Sequence, residues 1–228
     1  MIHATETDNP INRAVENPKA FIRNDQYNFI KDQTKILVVG QTSATDAEVL
    51  SVLRHLAHEK VFKQFPILTD QQKKILNPLI QVKELSDAES FLEQLQPYIV
   101  PFKAVTADNV KKLFPKAKKL KGPKLENTNF YKTSYLAWTE SANLMYLVAD
   151  LTDQLIGVQG SFTRSTKQGI CTICNSHSQV GLFIAKTKTS GSEQFIKRGN
   201  YICQDAEVCN GQVKTLDRLN DFVGQFQK

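Results

Sequence analysis

The chain has 228 residues, enough for two compact units, and 41% hydrophobic with 23% charged residues describes a globular rather than a disordered polypeptide. No run approaches the roughly 18 apolar residues of a membrane span, and the polar stretch Met1 to Arg23 lacks the apolar block of a signal peptide, which points to the cytoplasm. Thiols stay reduced there, so the four cysteines suggest a metal site rather than disulfides.

Helices follow near 25–39, 46–61, 70–81 and 87–96. Three capping boxes mark starts: Thr45 with Glu48, Thr69 with Gln72, and Ser86 with Glu89. Apolar residues recur at helical spacing, as in Val49, Val52, Leu53 and Leu56, and again in Phe91, Leu92 and Leu95. Short helices with short connections read as an antiparallel bundle spanning 24–102. Pro97 and Pro101 close it, because proline disfavours helical geometry in the residue before it.

A further helix over about 106–114 opens the second unit, 103–228. Between residues 103 and 124 the chain holds eight lysines (Lys103, Lys111, Lys112, Lys116, Lys118, Lys119, Lys121, Lys124) and one acid, Asp108. This segment's excess of +7 is larger than the whole chain's +6, so the remainder is slightly negative. Such a segment suits phosphate or an acidic surface, and equally a solvated helix face with a basic linker.

Eight of the ten glycines follow Asp150, whereas all eight prolines lie at or before Pro123. The second unit should therefore be strand- and turn-rich. Leu144 to Val148 and Leu155 to Phe162 form a hairpin about Asp150 to Asp153. Val180 to Ala185 and Phe195 to Ile202 form another about Ser190-Gly191-Ser192. A final helix carries Leu216, Leu219, Val223 and Phe226 on one face, with Phe222 at its edge.

The strongest chemical signal lies among these strands. Cys171-Thr172-Ile173-Cys174 is a knuckle, and Cys203 and Cys209 fall at the end of the second hairpin and near the last helix. Four thiolates satisfy a tetrahedral structural zinc and leave no open position for catalysis. Knuckle, hairpin and helix is the chain order of a treble clef, so the fold class is α+β: a helical bundle, then an α/β domain with a four-cysteine zinc finger. No His-Glu-x-x-His, phosphate-binding loop or Gly-x-Ser-x-Gly elbow is present, and nothing marks an enzyme.

Gly169-Ile170-Cys171-Thr172-Ile173-Cys174-Asn175, Leu182-Phe183, Gly199-Asn200-Tyr201-Ile202-Cys203 and Cys209-Asn210 resemble the fusidic acid resistance proteins of FusB type that bind elongation factor G. The likeness continues upstream in Gln26-Tyr27-Asn28-Phe29-Ile30, Tyr98-Ile99-Val100-Pro101-Phe102, the lysine run, and Trp138 with Glu140 and Ala142. The resemblance covers about residues 24–228, leaving residues 1–23 as an unmatched N-terminal extension, and implies a non-enzymatic protein that promotes release of elongation factor G from the ribosome when fusidic acid holds it there. It also implies a partner surface on Ile170, Arg198, Tyr201 and Phe222. Ile170 stands where an aromatic is usual in that family, and Arg198 where lysine is usual. The alternative reading is a zinc-containing RNA- or ribosome-binding protein that uses segment 103–124.

Overall fold

The computed structural model describes residues 19–117, 120–141, 143–188 and 195–227. Lys118, Lys119, Ala142, the Ser190-Gly191-Ser192 turn and most of the N-terminal extension lie outside the described residues. Ile22, expected to belong to that extension, is fully buried and bridges Ile99, so the chain is already packed there.

The first half is built on α1 (Asn24–Ser43), α2 (Ala47–Phe62), α3 (Asp70–Leu76) and α4 (Leu85–Leu95). Thr69 and Gln72 form the expected capping box at α3. The other two starts differ from expectation. Asp46 caps α2 in place of Thr45, accepting from the Glu48 N–H at 2.8 Å, since an aspartate one residue further on offers a charged acceptor. At α4 the box is Glu84 with Asp87, two residues ahead of the expected Ser86 with Glu89. Helix α3 continues only as a 3₁₀ turn over Asn77–Gln81, where Pro78 supplies no N–H.

Ile22, Ile30, Leu37, Val61, Leu76, Leu79, Phe91 and Leu95 form the core of this half. On α2 the expected apolar face is corrected. Val49, Val52 and Leu56 are exposed, and the helix packs inward through Ala57 and Val61 with Leu53 beside them. Periodicity identifies a helix, but a helix with apolar residues on two sides lets its neighbours choose which side is covered.

Beyond α5 (Ala107–Leu113) the second half is one antiparallel meander: β1 (Tyr135–Ser141), β2 (Leu144–Leu151), β3 (Gln154–Ile170), β4 (His177–Lys188) and β5 (Phe195–Cys203), paired in chain order. Strand β1 was not expected, and β3 runs on to the knuckle. The β2–β3 turn uses Thr152 and Asp153 at φ 50° and 63°, the left-handed pair of a tight two-residue hairpin. Two short helices close the chain, α6 (Ala206–Asn210) and α7 (Asp217–Gly224).

Strand alternation gives the sheet two faces. On one, Tyr135, Leu147, Val158, Phe162 and Phe183 pack beneath α7. Gly160 and Gly181 make room for these rings: a Cβ at Gly160 would lie 2.6 Å from Phe183 Cζ, and one at Gly181 would strike Phe162. On the other face Leu136, Trp138, Tyr146 and Val148 are covered by Val110 and Phe114 of the α5 region, with Trp138 stacked on Tyr146 at 5.4 Å. Leu113, Ala117 and Leu120 of the lysine-rich segment, with Leu125 just after it, pack against this cluster, which turns the segment's described lysines outward.

The halves meet through polar groups. Asn24 Nδ2 donates to Ser134 Oγ and to the Asn210 carbonyl, both at 2.9 Å. Asn28 Nδ2 donates to the carbonyls of Asn210 at 2.7 Å and Val213 at 2.9 Å. Lys214 pairs with Asp32.

Candidate metal centre and partner face

Strand β3 delivers Cys171, the turn after it delivers Cys174, β5 ends on Cys203, and α6 supplies Cys209. Asn175, just past the knuckle, sits at φ 55°, a left-handed position that asparagine tolerates. The turn closes as the Asn175 N–H donates to the Cys171 carbonyl at 2.9 Å and the Cys171 N–H donates to the Ser176 carbonyl at 3.0 Å. The Thr172 N–H donates to the Tyr201 carbonyl at 2.9 Å, joining knuckle to hairpin. Cys209 lies on its own short helix, capped by Asp205, rather than on the last helix.

All four sulfurs are buried and lie within 4.8 Å of one another. Cys171 Sγ is 3.8 Å from Cys209 Sγ, and Cys174 Sγ is 3.7 Å from Cys203 Sγ. A tetrahedron with Zn–S bonds of about 2.3 Å has edges of about 3.8 Å, so the donor set fits zinc in size and kind. The Cys203 N–H points at Cys171 Sγ at 3.4 Å, a donor suited to a thiolate. Hydrogen bonds from Cys174, Cys203 and Cys209 hold the Cys171 thiol far below its ordinary range, while bonding to Cys171 and Cys174 drives Cys209 far above it. Four sulfurs this close cannot all ionise unaided, and a divalent cation removes that conflict. Tyr135, fully buried beside the cluster, has its phenol pushed up by burial and then by the neighbouring Cys209.

Asn210, next to Cys209 and quoted above only as part of the family resemblance, is a connecting residue whose role the sequence did not give. Its Oδ1 accepts from the Ser134 and Tyr135 N–H groups at 2.6 and 3.1 Å, and its Nδ2 donates to the carbonyls of Tyr135 and Ala206, both at 2.9 Å. Its own carbonyl receives Asn24 and Asn28. One side chain thereby ties the metal-bearing helix to β1, and its backbone ties it to α1. Its partners on β1 and α1 lie 75 or more residues away in the chain, which is why the sequence did not give this role.

The four expected partner residues do not form one patch. Ile170 and Tyr201, 57% and 52% exposed, line a common depression of about 210 Å³ beside the knuckle. Arg198 is exposed, but it lies three residues from Tyr201 on an unbroken strand and so on the opposite face, level with Ala185. That odd spacing was legible in the sequence. Phe222 is corrected to a core residue: it is 2% exposed, 5.7 Å from the Phe183 ring and 5.4 Å from Phe226. It sits at the centre of the buried face of α7, not at its edge. Of the lysine segment, Lys103 is engaged by Asp150 at 3.0 Å and Lys111 by Asp108 at 3.3 Å, which reduces the free charge.

A helical region followed by a meander that clasps four cysteines between knuckle, hairpin and helix defines a two-part treble-clef protein. The family model for the N-terminal region of elongation factor G-binding protein matches residues 21–103, and that for the FBP C-terminal treble-clef zinc finger matches residues 109–225. The chain belongs to this family, the FusB/FusC type. Among solved structures it is similar to that of the fusidic acid resistance protein FusC, with a TM-score of 0.77 and 25% sequence identity over 91% of this chain and 98% of that one. No curated protein sequence is significantly similar to it. No helix among the described residues is long and apolar enough to cross a membrane.

Proposed function

We propose that the protein is a non-enzymatic, zinc-containing binding protein for elongation factor G, that it promotes release of the factor from the ribosome, and that it protects translation from fusidic acid. The observation that carries this reading is the zinc-finger half, where a family match over residues 109–225 coincides with a four-thiolate site. The metal sits in the core, so its role is to hold the knuckle, the hairpin and α6 in register. Ile170 and Tyr201, held by that knuckle and already exposed, supply the apolar contact. Aromatic side chains contribute large contact area at little entropic cost, and a few of them carry most of an interface's energy. Arg198, on the other face, bears on the partner only if the factor wraps the edge strand β5.

The action is in the cytoplasm, where the factor works, and contact with the ribosome follows from the factor's place on it. The test is binding of the full chain to purified elongation factor G by calorimetry, followed by reconstituted translation with fusidic acid. A stoichiometric complex and restored translation are expected. Absence of any complex at micromolar concentrations would remove the reading. Binding to ribosomal RNA in place of the factor, with a steep fall in added salt, would favour the lysine segment 103–124 instead.

A further inference from the structure

The β4–β5 hairpin carries a stripe on the sheet face that α5 covers only over β1 to β3. Alternation places Leu182, Ile184 and Lys186 of β4 on that face, opposite Tyr201, Gly199 and Lys197 of β5, and Phe195 continues the row. The floor is apolar. A Cβ at Gly199 would lie 2.8 Å from Ile184 Cγ1, so the isoleucine lies across the glycine, while Tyr201 and Phe195 stand 52% and 58% exposed.

At the centre of the stripe Lys186 is paired directly with Lys197. Both are exposed, and neither has a hydrogen bond or ion pair among the described residues. Like charges directly opposite one another destabilise a strand pair. Between Val180 and Cys203 the sole acid in the sequence is Glu193, in the connecting residues outside the described structure. The hairpin thus carries uncompensated positive charge between two wet aromatic side chains. A surface that is anionic at one point and apolar around it relieves both costs at once.

We infer that this open face is the seat of an acidic protein surface, with a partner carboxylate lying between Lys186 and Lys197 and apolar partner side chains on Ile184, Tyr201 and Phe195. The inference rests on the proposed function and deepens it by naming the chemistry that elongation factor G must present. RNA suits the stripe less well, because Leu182 and Ile184 offer no ring to stack on. Tyr201 and Phe195 are also six residues apart on one strand, roughly 20 Å at about 3.3 Å per residue, too far for neighbouring bases.

The test uses the full-length, zinc-loaded chain and the variants K186E, K197E and K197Q. Reversing one charge turns the repulsive pair into an attractive one, so K186E and K197E should melt at a higher temperature than the parent, with K197Q between. The same reversals should weaken binding to elongation factor G at least tenfold, and the parent's affinity should fall with salt more steeply than theirs. Opposite movement of stability and affinity is the signature, since a merely structural role moves both together. Failure of the parent chain to bind the factor would remove the proposed function itself. Parent binding with both reversal variants within twofold would overturn only this inference. Loss of a labelled 20-mer ribo-oligonucleotide, with factor binding kept, would overturn it in favour of RNA.

Discussion

The helical half and the finger half reach stability by different means. The helical half has one apolar cluster, from Ile22 through Leu95, built by helices that supply their own backbone hydrogen bonds. The finger half is a single sheet with a cluster on each face, and the four cysteines belong to the larger of these. A knuckle and two short helices close one end of the sheet, and there the four buried thiols sit among apolar neighbours such as Ile173, Ile202 and Val213, where a bound cation would add to the packing. The seam between the halves is neither of these. It is made of asparagine amides on Ser134 and on the carbonyls of Asn210 and Val213, with the Lys214–Asp32 ion pair beside them, groups that bind well when docked and tolerate water when not.

The largest expected effect breaks the comparison at the metal. Structural zinc contributes on the order of 10–16 kcal/mol to small domains, so Cys→Ser at Cys171, Cys174, Cys203 or Cys209 should unfold the finger half while the helical half persists. Circular dichroism should show retained helix with lost tertiary signal, and elemental analysis no zinc. A metal-free chain with a fully folded sheet would end the distinction.

Next comes the division between core and surface aromatic residues. Phe222→Ala should cost about 3–5 kcal/mol of stability, as expected for a fully buried ring. Tyr201→Ala should change stability by less than about 0.5 kcal/mol but weaken elongation factor G binding by roughly 2 kcal/mol. Denaturant melts and calorimetry on the same two variants read both quantities.

The seam is weaker. Asn28→Ala takes the side-chain donor from the Val213 carbonyl and one of two from that of Asn210, which keeps Asn24, and should cost about 1–3 kcal/mol. The loss should show as faster proteolysis between residues 97 and 105, with each half still folded. If instead the whole chain unfolds in one step at the parent's cooperativity, the two halves are a single unit. The smallest effect is in the β2–β3 turn, where a β-branched residue occupies a left-handed position. Thr152→Asn should stabilise the finger half by about 1 kcal/mol, read as a shift in its melting midpoint.

Much of this architecture is written in local chemistry. A cysteine knuckle with a second pair downstream points to a metal site, because four thiols brought this close suit a tetrahedral cation. Thr69 with Gln72 starts a helix because the two side chains answer backbone groups three residues apart. The two hairpins follow from strand composition around a turn. Even the separation of Arg198 from Tyr201 was available, since three residues along a strand reverse the face.

What the tertiary structure decided depends on groups far apart in the chain. Val49, Val52 and Leu56 have the spacing of a buried face, yet α1 and the turn after α3 cover the neighbouring side of α2 instead. Phe222 is drawn inward because the rings of Phe183 on β4 and Phe226 pack against it beneath α7. Asn28 meets Asn210 and Val213 only once both halves are folded, across more than 180 residues of sequence. Amino-acid pattern sets what each segment can bury or bond locally, whereas the choice among equivalent faces and partners is made by packing, which no single segment contains.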